Sequence, residues 1–201
     1  MERQLILASA SPRRSQLLTD LGLCFNVVVS GVDEQRISAD DPQQLVEKLA
    51  VSKASTAALQ CPEALVIGAD TVVVLDGKVY GKPEDELDAM HKLSVLNGKV
   101  HTVYTGVCVA HYASNRIETA VAATLVSMKP LTAQQISSYV STGEPLDKAG
   151  AYAIQGLGAT LIDRIEGCYF NVVGLPLSVL STLLASFGVD LLAHTNVKTS
   201  R

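Results

Sequence analysis

Between Val100 and Met128 the chain carries two long β-type stretches, TVYTGVCVAHYA and RIETAVAATLVSM, which meet at Ser114–Asn115. Runs rich in Val, Thr and Tyr, broken by a polar pair, read as an antiparallel hairpin. What precedes them alternates strand and helix signals. Residues 3–8 are strand-like, and Pro12 is placed to open a helix that runs to about Leu21 and stops at Gly22. FNVVVS (25–30) reads as a second strand, and residues 42–59 as a helix carrying Leu45, Leu49, Ala50, Ala54 and Ala57 at helical spacing. ALVIGADTVVVLDGKVY reads as a buried strand, a D-G turn and a short return strand. Alternating β and α elements ask for parallel strands, and the hairpin forbids a purely parallel sheet. The pattern therefore predicts an α/β fold, a single domain whose mixed, twisted sheet is flanked by helices.

The remaining segments fit that plan. Pro83 followed by three acidic residues predicts a helix start with its carboxylates at the positive end of the dipole, running to about Leu96 before N-G. LTAQQISSYVSTG is a capped amphipathic helix ended by Gly143, and LPLSVLSTLLASFG is the last helix. The glycine-rich stretch 149–174 predicts tight turns and one further strand near 159–165. Without a repeat, linker or break in composition, residues 1–193 read as one domain and 194–201 as a flexible tail.

Composition narrows the function. With 48% apolar and 18% charged residues among 201, the chain has material for a real core. A net charge of −4 argues against a broad surface for nucleic acid, so anion binding should come from a local basic cluster. The four cysteines are scattered without a C-x-x-C pair, which reads as reduced thiols in a reducing compartment, and the four histidines form no zinc-type cluster. No apolar stretch approaches a membrane span, and LILASA is too short for a signal-peptide core, so a cytoplasmic protein is expected.

The adjacent arginines in LASASPRRSQLL stand where the first strand hands over to a helix. In open α/β sheets that is where ligands bind, against helix N-termini. Small Ser9, Ala10 and Ser11 let backbone approach an anion, and the forks of Arg13 and Arg14 match phosphate oxygens. Asp70 lies inside VIGADTVVVL with apolar neighbours on both sides, and a buried carboxylate needs a cation, a metal or several donors. The bland alternative satisfies it with backbone amides at a strand irregularity beside Gly68. Lys53, Lys82 and Lys148 would add cations to the pocket, and Glu34, Asp70 and Asp147 would add carboxylates. Together they suggest a polyphosphate with a divalent cation. No G-x-x-x-x-G-K-[ST] or G-x-G-x-x-G pattern is present, which excludes a P-loop and leaves a dinucleotide-binding unit unsupported.

LASASPRRSQLL, SGVDEQR, LAVSKA, VIGADTVVVLDGKVYGKP, EPLDKAGAYAIQG and VVGLP, in that order over about residues 5–176, resemble the Maf family. These are septum-formation inhibitor homologues that include nucleoside triphosphate pyrophosphatases, with a fold shared with inosine triphosphate pyrophosphatases and a central cleft. The resemblance implies Asp70 as proton acceptor, Glu34 with Asp70 on Mg²⁺ or Mn²⁺, and Arg13, Arg14, Lys53 and Lys82 around the triphosphate. It places Asp147 and Lys148 at the family's D-K pair, and it implies a homodimer. Arg13, Thr71 and Gln155 resemble the subgroup acting on dTTP and UTP rather than the branch acting on 7-methyl-GTP. By strand alternation Thr71 should face away from Asp70, leaving open whether it reaches a base through its backbone or through a bend. The rival expectation is a regulator of cell division that binds a nucleotide without turning it over.

Overall fold

A computed structural model describes residues 4–193; the expected tail at 194–201 lies outside the described residues. The chain alternates β1 (Leu5–Leu7), α1 (Pro12–Asp20), β2 (Phe25–Val27), α2 (Pro42–Gln60), β3 (Leu65–Leu75) and β4 (Lys78–Tyr80). There follow α3 (Glu86–Leu96), β5 (Val100–His111), β6 (Arg116–Met128), α4 (Ala133–Val140), β7 (Ile162–Glu166), α5 (Tyr169–Val173) and α6 (Leu177–Ser186). The seven strands form one sheet in the order β2-β1-β3-β5-β6-β7, with β4 paired to β3. β1 runs parallel to β2 and β3, and the other pairs are antiparallel, so the sheet is mixed as the hairpin required.

Local chemistry explains the element ends. Pro12 opens α1, and Gly22 takes the left-handed conformation just past its end. Asp41 caps α2 by accepting from the backbone N–H groups of Gln43 and Gln44, and Thr132 with Gln135 forms a reciprocal capping box on α4. Asp76 and Gly77 both adopt positive φ in the β3–β4 turn. Three boundaries differ from the sequence reading. α3 starts at Glu86 rather than at Pro83, because Asp85 accepts from Asp88 N–H and caps the helix there. β2 ends at Val27, since its only neighbour β1 ends at Leu7. The late strand begins at Ile162, after a 3-10 segment over Gly156–Leu161.

Three apolar clusters hold the layers together. α1 and α6 pack on the face that carries Leu65, Ile67 and Ala69 of β3. On the other face Ala50, Ala54, Ala57 and Ala58 of α2 lie against Val66 and Cys108. α3 and α4 cover the far half of β3 and β5 through Val73, Leu75 and Val103. α2 comes unusually close, because a Cβ at Gly68 would overlap Ala50 O and lie 2.8 Å from Ala54 N, and one at Gly106 would overlap Val46 O. Among the described residues no helix is long and apolar enough to cross a membrane.

Candidate active site

The strand order reverses between β1 and β3. β1 connects through α1 to β2 on one side, and β2 connects through α2 to β3 on the other, with the two helices on opposite faces. A crevice at such a reversal is the expected ligand site of an open α/β sheet. Here it is a cleft of about 660 Å³. It is widened by a gap in the pairing: β1 covers β3 only at residues 65–67 and β4 only at 73–75. Residues 68–72 therefore have no strand on that side, and the cleft reaches both faces of the sheet around this free edge.

Every residue singled out from the sequence lines this one cleft. Ser9, Arg13 and Arg14 come from the β1–α1 corner, Glu34 from the turn after β2, and Lys53 from α2. Asp70 and Thr71 come from β3, Lys82 from the loop after β4, and Asp147, Lys148 and Gln155 from the loop between α4 and β7. Five cationic side chains stand against three carboxylates, so a protein of net charge −4 concentrates positive charge at one place.

The centre is a triad of charges, two of them buried. Asp70 points toward α2, where the missing side chains of Gly68 and Gly106 bring Lys53 within reach. Lys53 Nζ lies 2.6 Å from Asp70 Oδ1 and 2.7 Å from Glu34 Oε1. Asp70 and Lys53 are 8% and 9% exposed, while the Glu34 side chain is 56% exposed at the cleft mouth. The pairing of β3 with β5 is unbroken from Val66 to Val74, so Asp70 is satisfied by this ammonium and the strand irregularity beside Gly68 does not exist. Asp70 Oδ2 and Glu34 Oε2 carry no hydrogen bond among the described residues, which leaves an open oxygen on each carboxylate. A divalent cation suits two hard carboxylate oxygens completed by phosphate oxygens. Among the described residues no group of three or more His, Cys, Asp or Glu could hold a metal, so a cation here would need substrate oxygens.

Arg14 is engaged differently from the phosphate contact expected of it. Its Nε donates to Gly174 O at 2.7 Å, Nη1 to Ala69 O at 2.8 Å and to Ser9 Oγ at 3.1 Å, and Nη2 to Thr71 Oγ1 at 2.9 Å. Burial draws its pKa below the ordinary guanidinium value, against the opposing charge of Asp70. A guanidinium has five N–H donors, so this buried fork is mostly used in clamping the free edge of β3 to the corner after β1 and to the loop before α6. Thr71 does face away from Asp70 and needs no bend, because the free edge exposes both faces to the cleft.

Arg13 Nη1 reaches Asp147 Oδ2 at 3.1 Å, and Lys148 Nζ reaches Asp147 Oδ1 at 2.6 Å. Partial burial works to raise the Asp147 carboxyl, but the Lys148 hydrogen bond and the two cations outweigh it, and the group sits below the ordinary aspartate range. Sequence reasoning missed Glu144, which organises this loop. Its carboxylate accepts from Tyr139 OH and from the backbone N–H groups of Leu157 and Gly158, and its carbonyl accepts from Lys148 Nζ. Burial pushes its carboxyl up, and those donors pull it further down, below the usual range. The Lys82 ammonium and the Gln155 amide, both exposed, have no partner among the described residues and stand available to a ligand.

A family model described as Maf-like protein matches residues 4–187. The chain belongs to the Maf family. This Maf protein is 50% identical over 190 residues to a dTTP/UTP pyrophosphatase of Pelotomaculum thermopropionicum, covering 94% of this chain and 100% of that one. It is 52% identical over 189 residues to a dTTP/UTP pyrophosphatase of Desulforamulus reducens, covering 94% and 99%. Among solved structures, a HAM1 protein from Coxiella burnetii superposes with a TM-score of 0.49 at 13% identity, covering 80% of the Maf chain and 81% of its own.

Proposed function

We propose that this Maf protein hydrolyses dTTP and UTP between the α and β phosphates, releasing the nucleoside monophosphate and pyrophosphate. The observation that carries the reading is the Lys53-bridged Asp70, a carboxylate with one open oxygen facing a cleft lined with cations. Asp70 takes the proton of the attacking water, while Lys53, bonded to its other oxygen, holds the carboxylate in place. Lys82 and Arg13 hold phosphate oxygens and stabilise charge growing on the leaving pyrophosphate, and Arg14 fixes the edge from which Asp70 and Thr71 project. Glu34 and Asp70 would hold Mg²⁺ or Mn²⁺, which would supply charge neutralisation and water activation. Thr71 and Gln155 face the base, and the names of the curated relatives support a pyrimidine. A cytoplasmic enzyme that cleans the nucleotide pool, acting as a homodimer, completes the reading.

Incubating the protein with dTTP and Mg²⁺ and resolving the products tests it. dTMP with pyrophosphate is the expected result. Orthophosphate as first product would replace the reading with a phosphatase, and unchanged but tightly bound dTTP would replace it with the nucleotide-binding regulator.

A further inference from the structure

Thr71 belongs to a hydrogen-bond chain whose direction can be read from its far end. The carbonyl oxygen of Asn171 can only accept, so Thr105 Oγ1, 3.1 Å away, directs its single hydroxyl proton there. Thr105 then has no proton for Thr71 Oγ1 at 3.0 Å, and of the two hydroxyls Thr71 must be the donor. On its other side Thr71 Oγ1 accepts from Arg14 Nη2 at 2.9 Å. The chain therefore runs one way, from Arg14 to Thr71 to Thr105 to Asn171. Thr105 and Asn171 are each 0% exposed, which keeps water from reversing it. Asn171 is itself pinned, with Nδ2 donating to Val103 O and Thr124 Oγ1, both at 2.9 Å.

A hydroxyl has one proton and two lone pairs. On Thr71 the proton goes to Thr105 and one lone pair to Arg14, so one lone pair remains for a ligand in the cleft that Thr71 lines. We propose that this buried relay makes Thr71 an obligate acceptor that reads a ring N–H, admitting uracil and thymine, whose N3 carries a proton, and refusing cytosine, whose N3 is a bare lone pair. Thr105 is a positioning residue, because it acts on base choice only by setting the polarity of Thr71. The proposal rests on the pyrimidine triphosphatase reading and extends it to one edge of the base.

The test compares kcat/KM for dTTP and dCTP in the parent, Thr105→Val and Thr105→Ser. Valine offers no acceptor, so the Thr71 hydroxyl is free to turn its proton into the cleft, and the dTTP:dCTP ratio should fall about tenfold or more, mainly through KM. Serine keeps the relay and should keep the parent ratio. A second arm needs no variant: N3-methyl-dTTP, which lacks the N–H, should be turned over by the parent at least about tenfold less efficiently than dTTP. A folded Thr105→Val protein with the parent ratio, or a parent that accepts N3-methyl-dTTP as readily as dTTP, overturns the relay while the pyrophosphatase reading stands. A parent inactive on dTTP and UTP overturns both.

Discussion

Asp70 has one oxygen committed to Lys53 and one open to the cleft, a division of labour that a single isosteric substitution separates from binding. Asp70→Asn keeps the size of the group and removes its basicity. We expect kcat for dTTP to fall by about 10²–10⁴-fold, with KM changed by less than about threefold, in steady-state assays of pyrophosphate release. A variant retaining near-parental kcat would take Asp70 out of its role. This residue was legible in the sequence because an acid among Val, Ile and Ala has no cheap explanation. The arginines were legible from their place at a strand-to-helix corner, whereas Lys53 and Lys82 were legible mainly by resemblance, since a charge beside a turn is usually only solvated. Glu144, Thr105 and Asn171 gave no signal. Thr105 sits in a strand rich in valine and threonine, where one more threonine is ordinary, and its meaning depends on Thr71 and Asn171, 34 and 66 residues away.

At the scale of elements the site depends on how closely α2 rests on the sheet. Gly68→Ala would place a methyl group against the carbonyl of Ala50 and 2.8 Å from the amide of Ala54, and backbone on backbone has no side chain to yield. The helix must shift, carrying Lys53 away from Asp70. We expect a loss of about 1–3 kcal/mol in stability, seen as a drop of roughly 2–12 °C in melting temperature, together with a lower kcat. Parental stability and activity in this variant would show that the sheet and helix adjust freely. Element types were readable from periodicity and turn chemistry, and the hairpin at Ser114–Asn115 correctly required a mixed sheet. Boundaries were less so. Val28, Val29 and Ser30 look like strand, yet Val28 N–H makes the last bond to β1, at Leu7 O, and Val29 and Ser30 lie beyond the end of that strand, a fact of pairing that no local propensity records.

Charge and pH act on the whole molecule. Positive potential gathered in one cleft of an acidic protein should draw a triphosphate in, and screening should weaken that attraction. Raising salt from about 0.05 to about 0.5 M should increase KM for dTTP several-fold, with kcat changed much less. An insensitive KM would argue that the cations do not meet the phosphates. Behind Tyr152 of the cleft wall, burial holds His101 down to about 4, and its Nε2 meets Tyr152 OH at 2.6 Å. The unfolded chain takes up this proton near 6.5 and the folded protein only near 4, so more protons bind the unfolded state between these values. The contribution is complete above about 6.5 and is lost progressively down to about 4, amounting to about 3 kcal/mol. Denaturant titrations across that window should show the loss in the parent and a flatter profile in His101→Gln.

Direct contact between the backbones of α2 and β3 also decides where the molecule has slack. Lys53 and Asp70 ride on two parts that have no cushion between them, so neither can retreat by sliding its support. If the ammonium is to release an acid and take hold of an incoming phosphate within each turnover, the travel must come from the lysine's own flexible stem or from the half-open turn bearing Glu34. The chemistry is thus mounted on an anvil, and the moving part is the rim.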